Sequence, residues 1–322
     1  MGEKVLCGVD IGGTKLSVGL VTPGGRLIDS TTTRDHVRKT PEEIVAQIES
    51  FVRKLLDRNR LSEADIGGVG VGTAGHLRYR DGVLITMSNL KGFRDFPIRD
   101  RLQSCFTAPV YVDNDANAQA FGEFKYGAGT GFSDMVFITV STQIGAGIIL
   151  DSRLFRGMTG TAGEIGHTIV EPGSDLICPC GNAGCLIAVA SGVALPASAR
   201  KKVESGMSSP LFAGKNFDFS AVTGELIKQG LETGDELCVS IVDDFARYIG
   251  IGVYNVFQIF NPRAIVLGGG LLSWGDVFFD GITTRFKSLA REMVFDDVAI
   301  VRAKIGPHSG VIGAASLALE EA

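Results

Sequence analysis

The 322-residue chain carries 31 Lys and Arg against 36 Asp and Glu, a net charge of −5, with 45% hydrophobic and 21% charged residues. That balance leaves no basic stripe for nucleic acid. No 18-residue apolar segment is present to span a membrane, and six cysteines are too few in so long a chain for a disulfide scaffold. Met1-Gly2-Glu3-Lys4 runs straight into a strand-like stretch, without a signal peptide's apolar core, so a soluble cytoplasmic protein with room for two cores is expected. Glycine is the outlier. There are 43, where an average usage of about 7% gives roughly 23. They cluster inside apolar runs, which points to places where backbone comes close to something.

In chain order, an apolar run from Val5 to Ile11 meets Gly12-Gly13-Thr14-Lys15, resumes over Leu16 to Val21, and turns at Pro23-Gly24-Gly25 into a third run. Apolar runs around Pro/Gly turns are a hairpin signal. A helix then starts at a marked cap, with Thr40 at N-cap, Pro41 at N1 and Glu43 closing a capping box. Ile44, Val45, Ile48, Phe51, Val52, Leu55 and Leu56 keep one buried face. Strands are expected over Ile66 to Val71 and Pro109 to Val112, the second followed by Asp113-Asn114-Asp115-Ala116-Asn117 and an Ala-rich helix. The opening pattern then recurs about 130 residues later. Met135 to Val140, Ser141-Thr142-Gln143-Ile144-Gly145-Ala146-Gly147, Ile148 to Leu150, a polar turn and Leu154-Phe155 repeat strand, small-residue turn, strand, turn, strand. A long helix (about 235–259), a strand (Ala264 to Leu267) opening on Gly268-Gly269-Gly270, and a terminal helix complete the chain. Two copies of one supersecondary unit imply two related α/β lobes with a cleft between them. The expected division is 1–120 and 121–307, with a helix of about 308–322 packing back on the first lobe.

Several of these segments can carry chemistry. Asp10-Ile11-Gly12-Gly13-Thr14-Lys15 sits at a strand end, where missing Cβ atoms let amides approach phosphate oxygens and Asp10 can hold water on Mg²⁺; a plain hairpin turn has the same pattern. Gly8 to Lys15 also imitates a Walker loop, but its lysine falls one residue late and no helix pattern follows. Gly70-Val71-Gly72-Thr73-Ala74-Gly75 fits G-x-G-x-x-G, yet a hairpin rather than a helix is expected after it, which disfavours a dinucleotide site. Cys178, Cys180 and Cys185, with His167 upstream, offer three thiolates and an imidazole, the ligand set of a closed structural zinc site. Glu164 stands three residues before His167, within reach of a hydroxylated ligand, although the tetrapeptide by itself reads as a helix start. Asp115, where a strand opens into a helix, is placed to take a proton from an attacking hydroxyl, although an Asx N-cap looks the same in sequence.

Taken together, Asp10 to Lys15, the Gly72–Gly75 loop, Asn89, Asn114-Asp115, Glu164 to His167, the cysteine cluster, Gly268 to Gly270 and the Gly-containing terminal helix resemble the ROK family of sugar kinases and sugar-responsive repressors in order and spacing. The resemblance implies a two-lobed actin-like ATPase (ribonuclease H-like) α/β fold and ATP- and Mg²⁺-dependent phosphorylation of a hexose or N-acylhexosamine. It implies Asp115 as catalytic base, with Gly75, Asn89, Asn114, Glu164 and His167 around the sugar. Gly12, Gly13 and Thr14, with Asp10, Lys15, Thr142 and Gly145, would serve the phosphates, and Gly268 and Gly269 the adenosine. His167, Cys178, Cys180 and Cys185 would hold structural Zn²⁺. The partners implied are sugar and ATP, with a homodimer as the assembly. The family's repressors carry an N-terminal helix-turn-helix, which a first strand beginning by residue 5 does not accommodate, so no nucleic acid is expected.

Two departures stand out. The second phosphate loop of the family reads G-T-G-I-G-x-G, whereas Ser141 and Gln143 replace two glycines here, and a φ penalty is expected at Gln143. Ile187 stands where the family has a sugar-contacting glutamate, which makes the pocket more apolar and an N-acetyl or deoxy sugar, or weakened catalysis, more plausible than ordinary glucose. The competing readings are a sugar-binding regulatory protein that has lost turnover and, more distantly, a nicotinamide enzyme. His36 reads as a surface residue. The glycine excess sorts into phosphate-loop, sugar-loop, zinc-knuckle and adenosine-loop clusters.

Overall fold

The structure is a computed structural model that describes residues 3–87, 90, 92–213, 217–290 and 298–320. Along it run β1 (Val5–Ile11), β2 (Leu16–Val21), β3 (Leu27–Thr33), α1 (Pro41–Arg58), β4 (Ile66–Thr73), β5 (His76–Arg78), β6 (Val83–Thr86), β7 (Arg94–Phe96), α2 (Ile98–Gln103), β8 (Val110–Asn114) and α3 (Asp115–Tyr126). There follow β9 (Met135–Val140), β10 (Ile144–Leu150), β11 (Arg153–Leu154), α4 (Leu186–Ala190), α5 (Leu195–Glu204), α6 (Gly224–Glu232), α7 (Glu236–Phe260), β12 (Ala264–Gly268), α8 (Asp276–Ala290), β13 (Ala299–Arg302) and α9 (Ser309–Ser316). Two five-stranded sheets share one strand pattern, β3-β2-β1-β4-β8 and β11-β10-β9-β12-β13, which is the expected duplication. Among the described residues, no helix is long and apolar enough to cross a membrane.

The chain forms two compact units. The first comprises residues 1–137, 147–163 and 302–322, the second 138–146 and 164–301. The division cuts β9 and β10, and the expected 120/121 boundary falls inside α3.

In the first unit, the hairpin β1–β2–β3 is antiparallel, and β4 adds to β1 and β8 to β4, both in parallel. Strands β1 and β2 are buried along their whole length, as continuous apolar runs require when both faces are covered. The α1 cap forms as its sequence dictates: the Thr40 hydroxyl accepts from Glu43 N–H at 3.3 Å, and the Glu43 carboxylate accepts from Thr40 N–H at 2.7 Å. On the sheet's α9 face, Gly8 and Gly70 are neighbours in register across β1 and β4. A Cβ at Gly8 would lie 2.0 Å from the carbonyl oxygen of Val311, and one at Gly70 would lie 1.7 Å from that of Ala314. These glycines let α9 lie directly on the strands, and they modify the expectation that clustered glycine marks ligands. Part of the excess serves helix-on-sheet packing. The segment after Gly75 is the β5–β6 hairpin, as expected, rather than the helix a dinucleotide fingerprint opens.

In the second unit, α7 packs against α8 and α4, and it ends at Asn261, whose left-handed φ of 43° stops the helix before Pro262.

Candidate functional site

Three parallel strands of the first unit end together. Ile11, Thr73 and Asn114 are paired across β1, β4 and β8, so the segments that follow them emerge from one edge of the sheet. The carboxyl edge of parallel strands is where open α/β sheets bind ligands. That edge holds Gly12–Lys15 after β1, Gly75 after β4 and Asp115 after β8, with Asp10 one residue inside β1. Asn114 caps α3, its Oδ1 accepting from Ala116 N–H at 2.8 Å, and the same N–H lies 2.9 Å from Asp115 Oδ1. Asn114 thus supplies the Asx cap, and Asp115 is half-buried at the helix start. Gly75 needs its glycine, with φ of 97° and a Cβ position 2.4 Å from the Thr86 carbonyl oxygen. Asn89 lies outside the described residues.

Asp10 is only 8% exposed. Burial pushes its carboxyl above the ordinary range, opposed by the nearby Lys15 and His36. Lys15 Nζ is 3.9 Å from Asp10 Oδ2, and Gly310 approaches so closely that a Cβ there would sit 2.3 Å from that oxygen. Asp10 supplies one carboxylate at this edge, and a hydrated divalent cation bound there would favour its ionised form against the desolvation.

Behind Asp115 is a buried charge network that sequence reading missed. Asp113 is 2% exposed, and Arg156 Nε donates to its Oδ2 at 2.7 Å. The same guanidinium forks onto the Glu320 carboxylate and lies 4.1 Å over the Tyr79 ring. Asn117 Nδ2 donates to Asp113 Oδ1 at 2.9 Å. Burial raises the Asp113 pKa and Arg156 opposes that rise. In sequence, Arg156 stands alone after Leu154-Phe155, 43 residues from Asp113 and 164 from Glu320, so nothing there announces the pairing. His36 also departs from expectation. It is fully buried, not at the surface, because the short turn Asp35–Arg38 folds its ring inward onto Gly12.

In the second unit, the turn after β9 meets α4's end and the Gly268–Gly270 loop. Gly192 N–H donates to the Ser141 carbonyl at 2.8 Å, and Val193 N–H to that of Thr142 at 3.1 Å. Gly269, at φ of 95°, presses against Val140, where a Cβ would be 2.5 Å from the backbone nitrogen. Thr142, Gly268 and Gly269 are thus brought together, and Gly145 lies at the start of β10. Gln143 is exposed and has no positive φ, so the backbone penalty expected there is absent. The Ser141 N–H bond to the Gln143 carbonyl (2.9 Å) closes the turn in a conformation any residue adopts.

The nitrogen and sulfur atoms of His167, Cys178, Cys180 and Cys185 all lie within 4.8 Å of one another. Cys180 and Cys185 sulfurs are 3.7 Å apart, and His167 Nδ1 is 3.4 Å from Cys178 Sγ. Tetrahedral zinc with Zn–S of about 2.3 Å and Zn–N of about 2.0 Å requires separations of roughly 3.8 and 3.5 Å, so the set fits Zn²⁺. As free thiols the three resist ionising together: burial, then the neighbouring thiols, push Cys185 up to about 12, while Asn182 N–H, then Cys178, bring Cys180 down to about 6. A divalent cation removes that opposition. With Nδ1 facing the sulfurs, His167 Nε2 faces Glu164 Oε2 at 3.9 Å, the orientation a ligating imidazole imposes on its other nitrogen. Ile187, on α4, is buried against Gly166, where a Cβ would meet its Cγ1 at 2.6 Å.

The chain is similar to known proteins over nearly its whole length. The chain is 33% identical to a glucokinase of Halalkalibacterium halodurans over 97% of its length and 94% of that protein's. It is 34% identical to a glucokinase of Streptomyces coelicolor, over 97% of each. A xylose repressor of Caldicellulosiruptor bescii is 29% identical over 98% of this chain and 78% of its own. The solved ROK family glucokinase of Streptomyces griseus, in complex with glucose and AMPPNP, superposes with a TM-score of 0.83 at 32% identity, covering 98% of this chain and 99% of that one. Residues 6–321 match the ROK family, and with the duplicated sheets and their strand-end loops this makes the chain a ROK family member with the actin-like ATPase fold of its sugar kinases.

Proposed function

We propose that the chain phosphorylates a hexose or N-acylhexosamine at the expense of ATP, with Asp115 as general base. The observation that carries this reading is the placement of Asp115 on the same strand-end edge as the Asp10–Lys15 loop, in a chain about one-third identical to glucokinases over nearly its full length.

In this reading Asp115 takes the proton of the sugar hydroxyl as that oxygen attacks the γ-phosphorus, and ADP leaves with the electron pair of the broken P–O bond. Amides of Gly12, Gly13 and Thr14, with Lys15, Thr142 and Gly145, hold the phosphates, and Gly268 and Gly269 border the adenosine. Asp10 would hold the Mg²⁺, which when bound supplies positive charge against the phosphate oxygens. Asn114, Gly75, Asn89, Glu164 and His167 orient the sugar. His167, Cys178, Cys180 and Cys185 would hold a structural Zn²⁺ that fixes the Glu164–His167 turn. The test is ADP release from ATP and Mg²⁺ over a panel of hexoses and N-acetylhexosamines; release with none of them overturns the proposal.

Ile187 favours a second reading, a sugar-responsive regulator without turnover, because its buried side chain offers the sugar no acceptor. Calorimetry separates the two: sugar binding without ATP binding supports the regulator, and binding of both supports the kinase.

A further inference from the structure

The imidazole of His36 is fully buried, and its Nε2 lies 2.9 Å from the carbonyl oxygen of Gly12. A carbonyl only accepts, so Nε2 carries the proton. The opposite nitrogen, Nδ1, is buried with no hydrogen-bond partner among the described residues. A ring with one satisfied and one orphaned nitrogen is a poor core residue, because an apolar side chain would fill the space without burying a polar atom. What the imidazole adds is its bond to Gly12.

That bond fixes a peptide plane. Gly12 N–H already donates to the Lys15 carbonyl at 3.0 Å, and His36 holds the carbonyl on the other side of the residue. In a trans peptide the C=O of one residue and the N–H of the next point in opposite directions. Holding Gly12 C=O towards the buried ring therefore turns Gly13 N–H away from it. Two successive glycines offer little steric resistance to rotation of the plane between them, and a flipped plane would present an oxygen to an anion instead of an amide.

We infer that His36 is a positioning residue for the nucleotide: its Nε2–H locks the Gly12–Gly13 peptide so that the Gly13 amide faces the phosphates of ATP. The identity of the anion rests on the kinase reading above. The experiment compares wild type, His36→Leu and His36→Gln as full chains, by calorimetry with Mg²⁺-ATP, steady-state kinetics and thermal melting. His36→Leu loses the donor, so ATP binding weakens and the KM for ATP rises about tenfold, while the KM for sugar and the melting temperature hold. Gln reaches the Nε2 position with an amide and restores ATP affinity. If His36→Leu does not fold, His36→Asn replaces it: its amide reaches only the Nδ1 position, so it should lose ATP affinity where His36→Gln keeps it. Normal wild-type binding retained in the donor-less variant overturns the inference alone. So does a parallel fall in ATP affinity, sugar affinity and melting temperature, which marks a structural role. No ATP binding by wild type overturns the kinase reading and the inference with it.

Discussion

Arg156 Nε donates to Asp113 Oδ2 at 2.7 Å, two residues ahead of Asp115, and both side chains are nearly withdrawn from water. The guanidinium also holds Glu320, so two carboxylates share one cation. Breaking a buried pair by removing one partner typically costs about 3–5 kcal/mol, because the remaining charge is stranded. Arg156→Met should lose about that much by urea unfolding at pH 8. Asp113 already has its pKa raised by burial, and without Arg156 it rises further. A raised folded-state pKa means the folded chain binds the proton more tightly, so stability falls as pH climbs from the unfolded value of about 4 through the folded one. The deficit of Arg156→Met should therefore shrink towards pH 4; a deficit constant with pH would show that Asp113 is not the stranded group.

Asp115→Asn keeps the side chain's shape and leaves the Asn114 cap in place. The negative charge and the ability to accept a proton are lost. General base catalysis is worth about 10²–10⁴-fold, so kcat should fall within that range while sugar affinity changes little. Calorimetry and an ADP-release assay on one preparation check both halves, and unimpaired turnover would remove Asp115 from the chemistry.

Much of the arrangement was legible in sequence where local rules govern. The capping box at Thr40 and Glu43, the twice-repeated hairpin and the helix stop at Asn261 are set by neighbouring residues and formed as read. The histidine and cysteine cluster was legible because metal chemistry restricts both residue type and spacing. Arg156 and His36 were not, since their partners lie 43 and 24 residues away and no local pattern links them. Glycine was half-legible. Composition shows that backbone approaches something closely, but Gly8 and Gly70 approach α9, which only the tertiary structure brings to them.

Gly70→Ala tests that packing directly. The new methyl would sit 1.7 Å from the Ala314 carbonyl oxygen, a backbone atom with no rotamer to escape into. Overpacking of this kind costs about 1–3 kcal/mol, and the upper end is expected because helix and strand must both shift. Urea unfolding reads the loss. A neutral result would mean that α9 is not seated on β4.

Cys180→Ser removes the exposed member of the sulfur set. If the four residues hold zinc, elemental analysis should find one equivalent in wild type and a small fraction of that in the variant. The zinc-depleted protein should melt lower, since metal-binding free energy contributes to folding. The KM for sugar should rise as the Glu164–His167 turn loosens. Equal zinc content in both proteins would show that metal, where found, binds elsewhere.

Asp10→Asn should separate stability from turnover. Burial raises the Asp10 pKa, against Lys15 and His36, so the folded protein binds this proton more tightly than the unfolded chain does. By the same linkage as at Asp113, stability falls as pH rises from about 4 through the folded value, and at neutral pH an ionised Asp10 works against folding. An amide of equal size carries no such cost. The ligand-free variant should gain on the order of 1 kcal/mol at pH 8, with the gain fading towards pH 4, while turnover with Mg²⁺-ATP falls because the cation loses its carboxylate. Urea midpoints at pH 4.5 and pH 8, alongside ADP release, decide it. A variant less stable at pH 8 would mean that Lys15 and His36 outweigh the desolvation of Asp10, and that the carboxylate is there for the fold rather than for a cation.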